Sequence, residues 1–450
     1  MASEAEVTSR LVGAALNDWR MKLKLNDRAK LIECWQNVYT YLEHHPEWSG
    51  VLALDTFAQR IVKRKPPPFA SGAAGAWTPE DDSELGLWLA NLTGSDSFVV
   101  KGKQGLIDGV SACAARHKFH PVREFLGACK LPEKRRIETW LTDFLGVKPT
   151  PYTKAVGRYF LINMVARIME PGCIMRSVLV LEGPQNRGKS TALYTLAQPW
   201  FADSHFDLQS KDAFEAIQGV WLYEISEMEQ FNKAETTRVK QFISSREDNY
   251  RPPYERRAQR IARQVAFGGT TNDRRYLKDW TGNTRFWPVQ CMEEGEILIE
   301  ELAAARDGLM AEAFDLYQNK ARRHPTRAEE AELFGPEQAE RMPEHPWTEP
   351  IYRALEEPNA DGARLREVTV SKVLHDILKI DYGRQTPGME RDVGLILTRV
   401  LGWQHKRVSK HSGPRPRYYV RPEEPAQPKR ELDTGAAPER VPGEDDDIPL

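Results

Sequence analysis

SVLVLEGPQNRGKSTALYTLA, residues 177–197, decides how the rest of this 450-residue chain is read. Val178 to Leu181 is a short apolar run, Gly183 to Thr191 satisfies G-x4-G-K-[ST], and TALYTLA continues at helical spacing. A loop of this kind, set between a strand and a helix, turns consecutive backbone N–H groups toward phosphate oxygens, and the helix adds the positive end of its dipole. The residues expected to bind the nucleotide are Gly183, Pro184, Gln185, Asn186, Arg187, Gly188, Lys189, Ser190 and Thr191. Lys189 would reach the β- and γ-phosphates of ATP, Ser190 would offer its hydroxyl to Mg2+, and Thr191 would add a phosphate contact.

Two later runs share the character of the first. GVWLYEI (219–225) and QVAFGGTTN (264–272) are short, apolar and separated by helical patterns, as expected of buried parallel strands joined by crossovers. The fold class that follows is α/β, with a parallel sheet around the phosphate loop. The first of these runs leads to Glu224, with Glu227 three residues on. An acid at a strand end can hold a hydrated Mg2+, and a second can orient or deprotonate the attacking water. The competing reading is a helix face of solvated glutamates. The other run ends in Asn272, an amide that could reach the γ-phosphate across the crevice at the strands' carboxyl ends. Alone, an Asn there is more often a turn former.

Between residues 238 and 285 twelve Lys or Arg stand against five Asp or Glu. With Tyr250 and Tyr254 interleaved, the segment could track a nucleic-acid backbone, and Lys240, Arg246, Arg251, Tyr254, Arg256 and Arg257 are the expected contacts. A solvated basic loop is the plainer alternative. Arg285 sits beside the apolar Phe286, Trp287 and Val289, placed either to complete a neighbouring subunit's site as an arginine finger or to make a structural salt bridge.

The length suggests roughly three domains of about 150 residues each. Residues 1–62 carry helical spacing, and the Pro- and Gly-rich 63–76 reads as a linker. Residues 77–134 read as a small helical or winged-helix-like unit around a β-like FVV at 98–100. A strongly helical segment from Arg135 to Met169 precedes the sheet, the two together spanning 135–323, and 324–350 reads as a connector. Within 351–421, two helical patterns precede strand-like pieces around a Gly-Pro turn, the pattern of a winged helix. Lys406 and Arg407 lie on its expected wing as DNA contacts, although such units also bind protein. The acidic, Pro-rich 422–450 reads as a disordered tail. Five scattered cysteines without a C-x2-C pair or a matching His cluster indicate neither a disulfide framework nor a zinc site. No apolar run approaches the roughly 18 residues of a spanning helix, and MASEAEVTSR lacks the order of a secretory signal, so a cytoplasmic protein is expected.

Taken in order, FHPVREFL, RRIETWLTDFLG, VGRYFLINMVARIMEPGC, VLVLEGPQNRGKST, LYEISEME, DNYRPPYERR, GGTTNDRRYLKDWTGNTRFWPV and LGWQHKRV resemble the virulence-associated protein E family of phage and prophage replication proteins, over roughly residues 75 to 420. That family looks like the superfamily 3 helicases, which are AAA-type ATPases. The resemblance implies Lys189 and Ser190 as Walker A, Glu224 as Walker B and metal ligand with Ser190, Asn272 as sensor 1 and Arg285 as the finger. It also implies a homo-oligomer, a hexameric ring, acting on single- or double-stranded DNA. Superfamily 3 members usually place two acids side by side at Walker B, whereas Ile225 follows Glu224 here, which leaves open whether Glu224 or Glu227 is the base. Many relatives carry a primase domain upstream; no D-x-D cluster follows a strand in the first hundred residues, so a separate primase is expected as partner. The expected function is an ATP-dependent DNA helicase or translocase in the replication of a mobile element. The alternatives are a nucleotide-switched replication initiator or DNA-binding regulator, and a host-interference factor.

Overall fold

The computed structural model describes residues 18–69, 72–93, 97–204, 212–228, 233–250, 259–277, 283–292, 295–357, 364–406 and 418–422. The chain divides into two compact units, Met1–Arg341 and Met342–Leu450.

In the first unit, β1 (Leu52–Asp55) pairs antiparallel with β2 (Arg60–Lys63), β2 with β3 (Gly75–Ala76), and β1 parallel with β4 (Lys118–Phe119). The helices Trp35–His44, Pro79–Ala90 and Lys103–Ala114 accompany this sheet. Three expectations change here. The stretch up to Gln59 is not all helix, because β1 gains partners on both sides and tertiary pairing outweighs local spacing. Residues 63–76 do not join separate modules: Val62 pairs with Ala76, and the buried Lys63 ammonium donates to the Asp81 carboxylate at 2.5 Å. Residues on both sides of that stretch share one core, from Val38 and Tyr41 to Leu85, Val110 and Cys113. The FVV stretch is no strand; Phe98 instead buries its ring in that core. Helix Pro79–Ala90 is closed at its start by a reciprocal bond pair between Thr78 and Asp81.

The larger sheet is wholly parallel. Its strands β5 (Val178–Glu182), β6 (Phe201–Ala202), β7 (Leu222–Ile225), β10 (Ala266–Thr271) and β11 (Phe286–Gln290) lie in the order β11-β5-β10-β7-β6. Between β7 and β10 the chain makes an antiparallel hairpin, β8 (Glu247–Tyr250) with β9 (Gln259–Ala262). β5, β7 and β10 are buried along their whole length, which is why each reads as an unbroken apolar run. Helix Pro151–Met169 is buried on nearly every face, between this sheet and helix Ile299–Gln318. It ends at Met169, the expected end of the helical segment, just before Glu170-Pro171-Gly172.

Residues 327–341 belong to this unit and are not a bare connector. Phe334 is fully buried against Tyr152 and Trp287, and Gln338 donates to the Phe286 carbonyl at 3.2 Å.

The second unit has its own core of Ile351, Leu355, Val373, Leu374, Val393, Leu397, Trp403 and Tyr419. Helix Thr348–Glu356 is followed by β12 (Glu367–Thr369), two helices beginning at Val370 and Pro387, then β13 (Gln404–Lys406) and β14 (Tyr418–Val420), in an antiparallel sheet ordered β12-β14-β13. The expected tail, apart from Pro422, lies outside the described residues.

Candidate nucleotide and metal site

The chain leaves β5 toward the β6 edge and returns past it to β11, so a crevice opens at the carboxyl end of β5 beside β10. The motif loop sits there. Asn186 and Gly188 take left-handed backbone angles, φ 59° and 86°, and helix Lys189–Ala197 starts at once. The loop is braced from outside, since Arg187 donates to the Gly295 carbonyl at 2.7 Å and Cys291 N–H to the Glu182 carbonyl at 2.9 Å.

Lys189 is buried, and its ammonium bridges the crevice. It donates to the Gly183 and Pro184 carbonyls at 2.7 and 2.6 Å and to Asn272 Oδ1 at 3.1 Å. On the next residue, Ser190 Oγ donates to Glu224 Oε1 at 2.7 Å, and Thr270 Oγ1, on β10, donates to the same oxygen at 2.6 Å. Glu224 is 2% exposed, and its second oxygen, Oε2, is buried without a hydrogen-bond partner. Two glycines of β10 allow this convergence. A Cβ on Gly268 would stand 3.0 Å from Leu193 Cδ1 of the loop's helix, and one on Gly269 would stand 2.5 Å from Met228 Sδ. The helix and the turn after β7 therefore close onto the strand, drawing the serine hydroxyl onto the carboxylate.

The structure thus brings together Lys189, Ser190, Glu224 and Asn272. Glu227 lies exposed in the turn two residues beyond β7, with φ 52°. Thr191 faces outward at the top of the helix. Arg285 is elsewhere: Phe286 pairs with Val178 and Gln290 with Glu182, so Arg285 enters the sheet at the end opposite the loop, roughly 16–20 Å along the strands. Its Nε donates to Ser244 Oγ at 2.8 Å.

Several expected DNA contacts are placed differently. Lys240 is buried, donating to Asn283 Oδ1 at 2.9 Å with its charge 5.8 Å from the centre of the Phe286 ring, so it is built into the fold and not offered to a ligand. Arg246 is exposed, but its Nε is tied to the Gly172 carbonyl at 2.8 Å. Arg263, part of the same basic count, is buried in a fork with Asp248, both side chains 1% exposed. Lys406 is exposed on β13. Arg251, Tyr254, Arg256 and Arg257 lie in the 251–258 segment joining β8 to β9, outside the described residues, as does Arg407.

Two neighbours of the site were not read from the sequence. Thr270 is one, masked by its place in an apolar strand. The other is Glu182, whose buried carboxylate takes the Arg341 guanidinium at 3.0–3.2 Å on the residue preceding Gly183. Burial raises the Glu182 carboxyl while Arg341 opposes the rise, and burial pushes the nearby Cys291 thiol up to about 12 against the pull of Lys189.

Residues 126–343 match the Virulence-associated protein E-like domain. The chain carries a virulence-associated protein E-like domain. That domain takes in the parallel sheet, the motif loop, the hairpin and the helices through Arg341, and leaves out β1 to β4 and nearly all of the second unit. No curated protein matches the chain. Among solved structures, two apo forms of the NrS-1 C-terminal region are similar to it. One has 10% identity and a TM-score of 0.42 over 82% of this chain and 95% of that one. The other has 10% identity and a TM-score of 0.44 over 87% and 100%. Among the described residues no helix is long and apolar enough to cross a membrane.

Proposed function

We propose that this chain is an ATP-hydrolysing, Mg2+-dependent motor of the superfamily 3 helicase kind, with an AAA-type core, working on DNA in the cytoplasm during replication of a phage, prophage or other mobile element. The observation that carries the reading is the meeting of Lys189, Ser190, Glu224 and Asn272 at the carboxyl ends of β5, β7 and β10. A lysine and an amide on one side, and a hydroxyl paired with a carboxylate on the other, are the groups that phosphoryl transfer from a nucleoside triphosphate requires.

The residues fit Mg2+. Glu224 Oε2 is a buried acceptor without a donor, beside the serine hydroxyl, and a metal-bound water would satisfy it. Bound there by Ser190 and, through water, Glu224, the ion would neutralise charge between the β- and γ-phosphates. Lys189 would exchange its carbonyl partners for phosphate oxygens. Asn272, relieved of the lysine, would turn its amide to the γ-phosphate and the attacking water. Glu224 stands nearest to serve as base; Glu227, exposed beyond the strand, is the second candidate.

Arg285 enters from the far end of β11 and so serves a neighbouring copy's nucleotide, which is the reason to propose a ring, of six by resemblance. Arg274, exposed just past Asn272, is the other residue that could reach across. The hairpin β8–β9 with its basic 251–258 connection would be the DNA-facing element, and the second unit, whose helix–strand–helix–helix–strand–strand order is that of a winged helix, a second DNA contact through Lys406 and Arg407. Priming would come from a separate chain.

The test is ATP hydrolysis with and without single-stranded DNA, in wild type and Lys189→Ala. Several-fold stimulation that vanishes in the variant supports the motor. Turnover indifferent to DNA favours the second reading, a nucleotide-switched initiator using the winged unit. Absence of hydrolysis by the assembled wild type refutes the ATPase.

A further inference from the structure

Far from the nucleotide crevice, in the amino-terminal part of the first unit, Glu43, Cys113 and His117 converge. His117 Nε2 lies 2.9 Å from Glu43 Oε2, Cys113 Sγ lies 3.7 Å from the same oxygen, and the three ligand atoms are all within 4.8 Å of one another. The convergence follows from the packing of two helices. Gly109 has its Cα where a Cβ would stand 2.6 Å from Val38 Cγ1 and 3.2 Å from the Trp35 carbonyl, so helix Lys103–Ala114 presses on helix Trp35–His44 at that turn. One turn further, Cys113 follows Gly109 by four residues and Glu43 follows Val38 by five, and their side chains are brought to face each other. The helix ends at Ala114, and the chain turns to bring His117 back over the pair.

We propose that Glu43, Cys113 and His117 form a zinc site, with water as the fourth ligand, that staples helix Trp35–His44 to the end of helix Lys103–Ala114. A tetrahedron with bonds of about 2.0–2.3 Å has edges of about 3.3–3.7 Å. The sulfur–oxygen separation already has that value, and the imidazole–carboxylate pair needs to open by a few tenths of an ångström. The donor set is one thiolate, one imidazole and one carboxylate, which suits a borderline-soft dication such as Zn2+ and not Mg2+ or Ca2+. On binding, the Cys113 S–H bond breaks, its proton goes to solvent, and the sulfur lone pair forms the bond to zinc. Thiolate and carboxylate together then match the charge of the ion. The charges facing the site are few. Arg116 lies 5.4 Å from the centre of the Tyr39 ring, and Lys22 and His44 pair with each other at 3.2 Å. Without a cation, burial and the Glu43 carboxylate hold the thiol protonated, pushed up to about 12, so metal capture releases a proton and weakens as pH falls. Cys113 is buried and His117 exposed, which gives the ion an entry path from the His117 side.

The experiment uses the full chain without a histidine tag, expressed in zinc-supplemented medium. Zinc is counted by elemental analysis, Co2+ is titrated as a spectroscopic stand-in, and thermal unfolding is followed with and without added zinc or chelator. The expected result is one zinc per chain, a thiolate-to-cobalt charge-transfer band with four-coordinate d–d intensity, and a melting temperature raised by zinc. Cys113→Ser and His117→Ala should weaken cobalt binding on the order of 100-fold or more. Because His117 is exposed, His117→Ala is the variant that keeps the fold if Cys113→Ser does not. A cobalt spectrum identical in His117→Ala and wild type, or substoichiometric zinc with no charge-transfer band, overturns the site. In that case the three groups are a hydrogen-bonded cluster, and a chelator leaves the wild-type melting temperature unchanged.

Discussion

Thr270→Val removes one hydroxyl and keeps the shape of a β-branched residue inside a buried strand. Glu224 Oε1 takes two O–H donors, Ser190 at 2.7 Å and Thr270 at 2.6 Å, and these fix the direction of Oε2, the oxygen that under the proposed function would face metal-bound water. A hydrogen bond to a carboxylate contributes about 1.5–3 kcal/mol. If that orientation is used in the transition state, its loss lowers kcat by roughly 10- to 150-fold. Nucleotide affinity should change little, since Lys189 and the loop amides are untouched, and Thr270→Ser should recover most of the rate because it restores the hydroxyl. The assay is steady-state ATP hydrolysis with a parallel measurement of nucleotide binding and of thermal unfolding. A Thr270→Val enzyme within twofold of wild type refutes the reasoning, as does a Thr270→Ser enzyme as impaired as the valine variant.

Arg285→Ala should keep nucleotide binding and lose about 10³- to 10⁵-fold in turnover. Mixed with the equally inert Lys189→Ala chain, it should regain activity, because some interfaces then pair an intact Lys189 with an intact Arg285; a mixture as inert as its parts removes the finger. Asp248→Ala strands the buried Arg263 guanidinium and should cost about 3–5 kcal/mol in urea unfolding, whereas Asp248→Leu with Arg263→Met should lose much less. His120 is held neutral below its usual 6.5 by burial, accepting from Arg123 N–H at Nδ1 and meeting Gln264 at Nε2. Its folded pKa is depressed, so the unfolded chain takes up the proton first. Stability should fall as pH drops through and below 6.5, and His120→Gln should flatten part of that fall, the similarly depressed His44 and His324 leaving the remainder.

The three central strands were legible because strands buried on both faces have no alternation to decode, and the loop because its glycines and lysine have a fixed spacing. β11 was missed for a definite reason: FWPVQ carries Pro288, which speaks against a central strand, and the structure resolves this by making β11 an edge of the sheet. The hairpin of β1 and β2 was hidden because four-residue strands depend on partners far away in sequence, here β4. Counting basic residues could not separate Lys240 and Arg263, which are consumed inside the fold, from those left to meet a ligand. Cys113 and His117 raised no alarm because their third companion, Glu43, lies seventy residues upstream of Cys113. Glu182 and Thr270 looked like the polar ends of apolar strands, and only the packing shows what each one holds.

The ammonium of Lys189 has a further consequence. With three neutral oxygens already around it, nucleotide entry under the proposed function would be an exchange of partners, in which uncharged acceptors give way to charged phosphate oxygens. One of the surrendered partners, Asn272, sits at the tip of β10, the strand that continues directly from the β8–β9 hairpin through residues 263–265. Under the proposed function an incoming phosphate would therefore unfasten a latch whose other side is the root of the hairpin, and news of occupancy would leave the crevice along a single covalent strand.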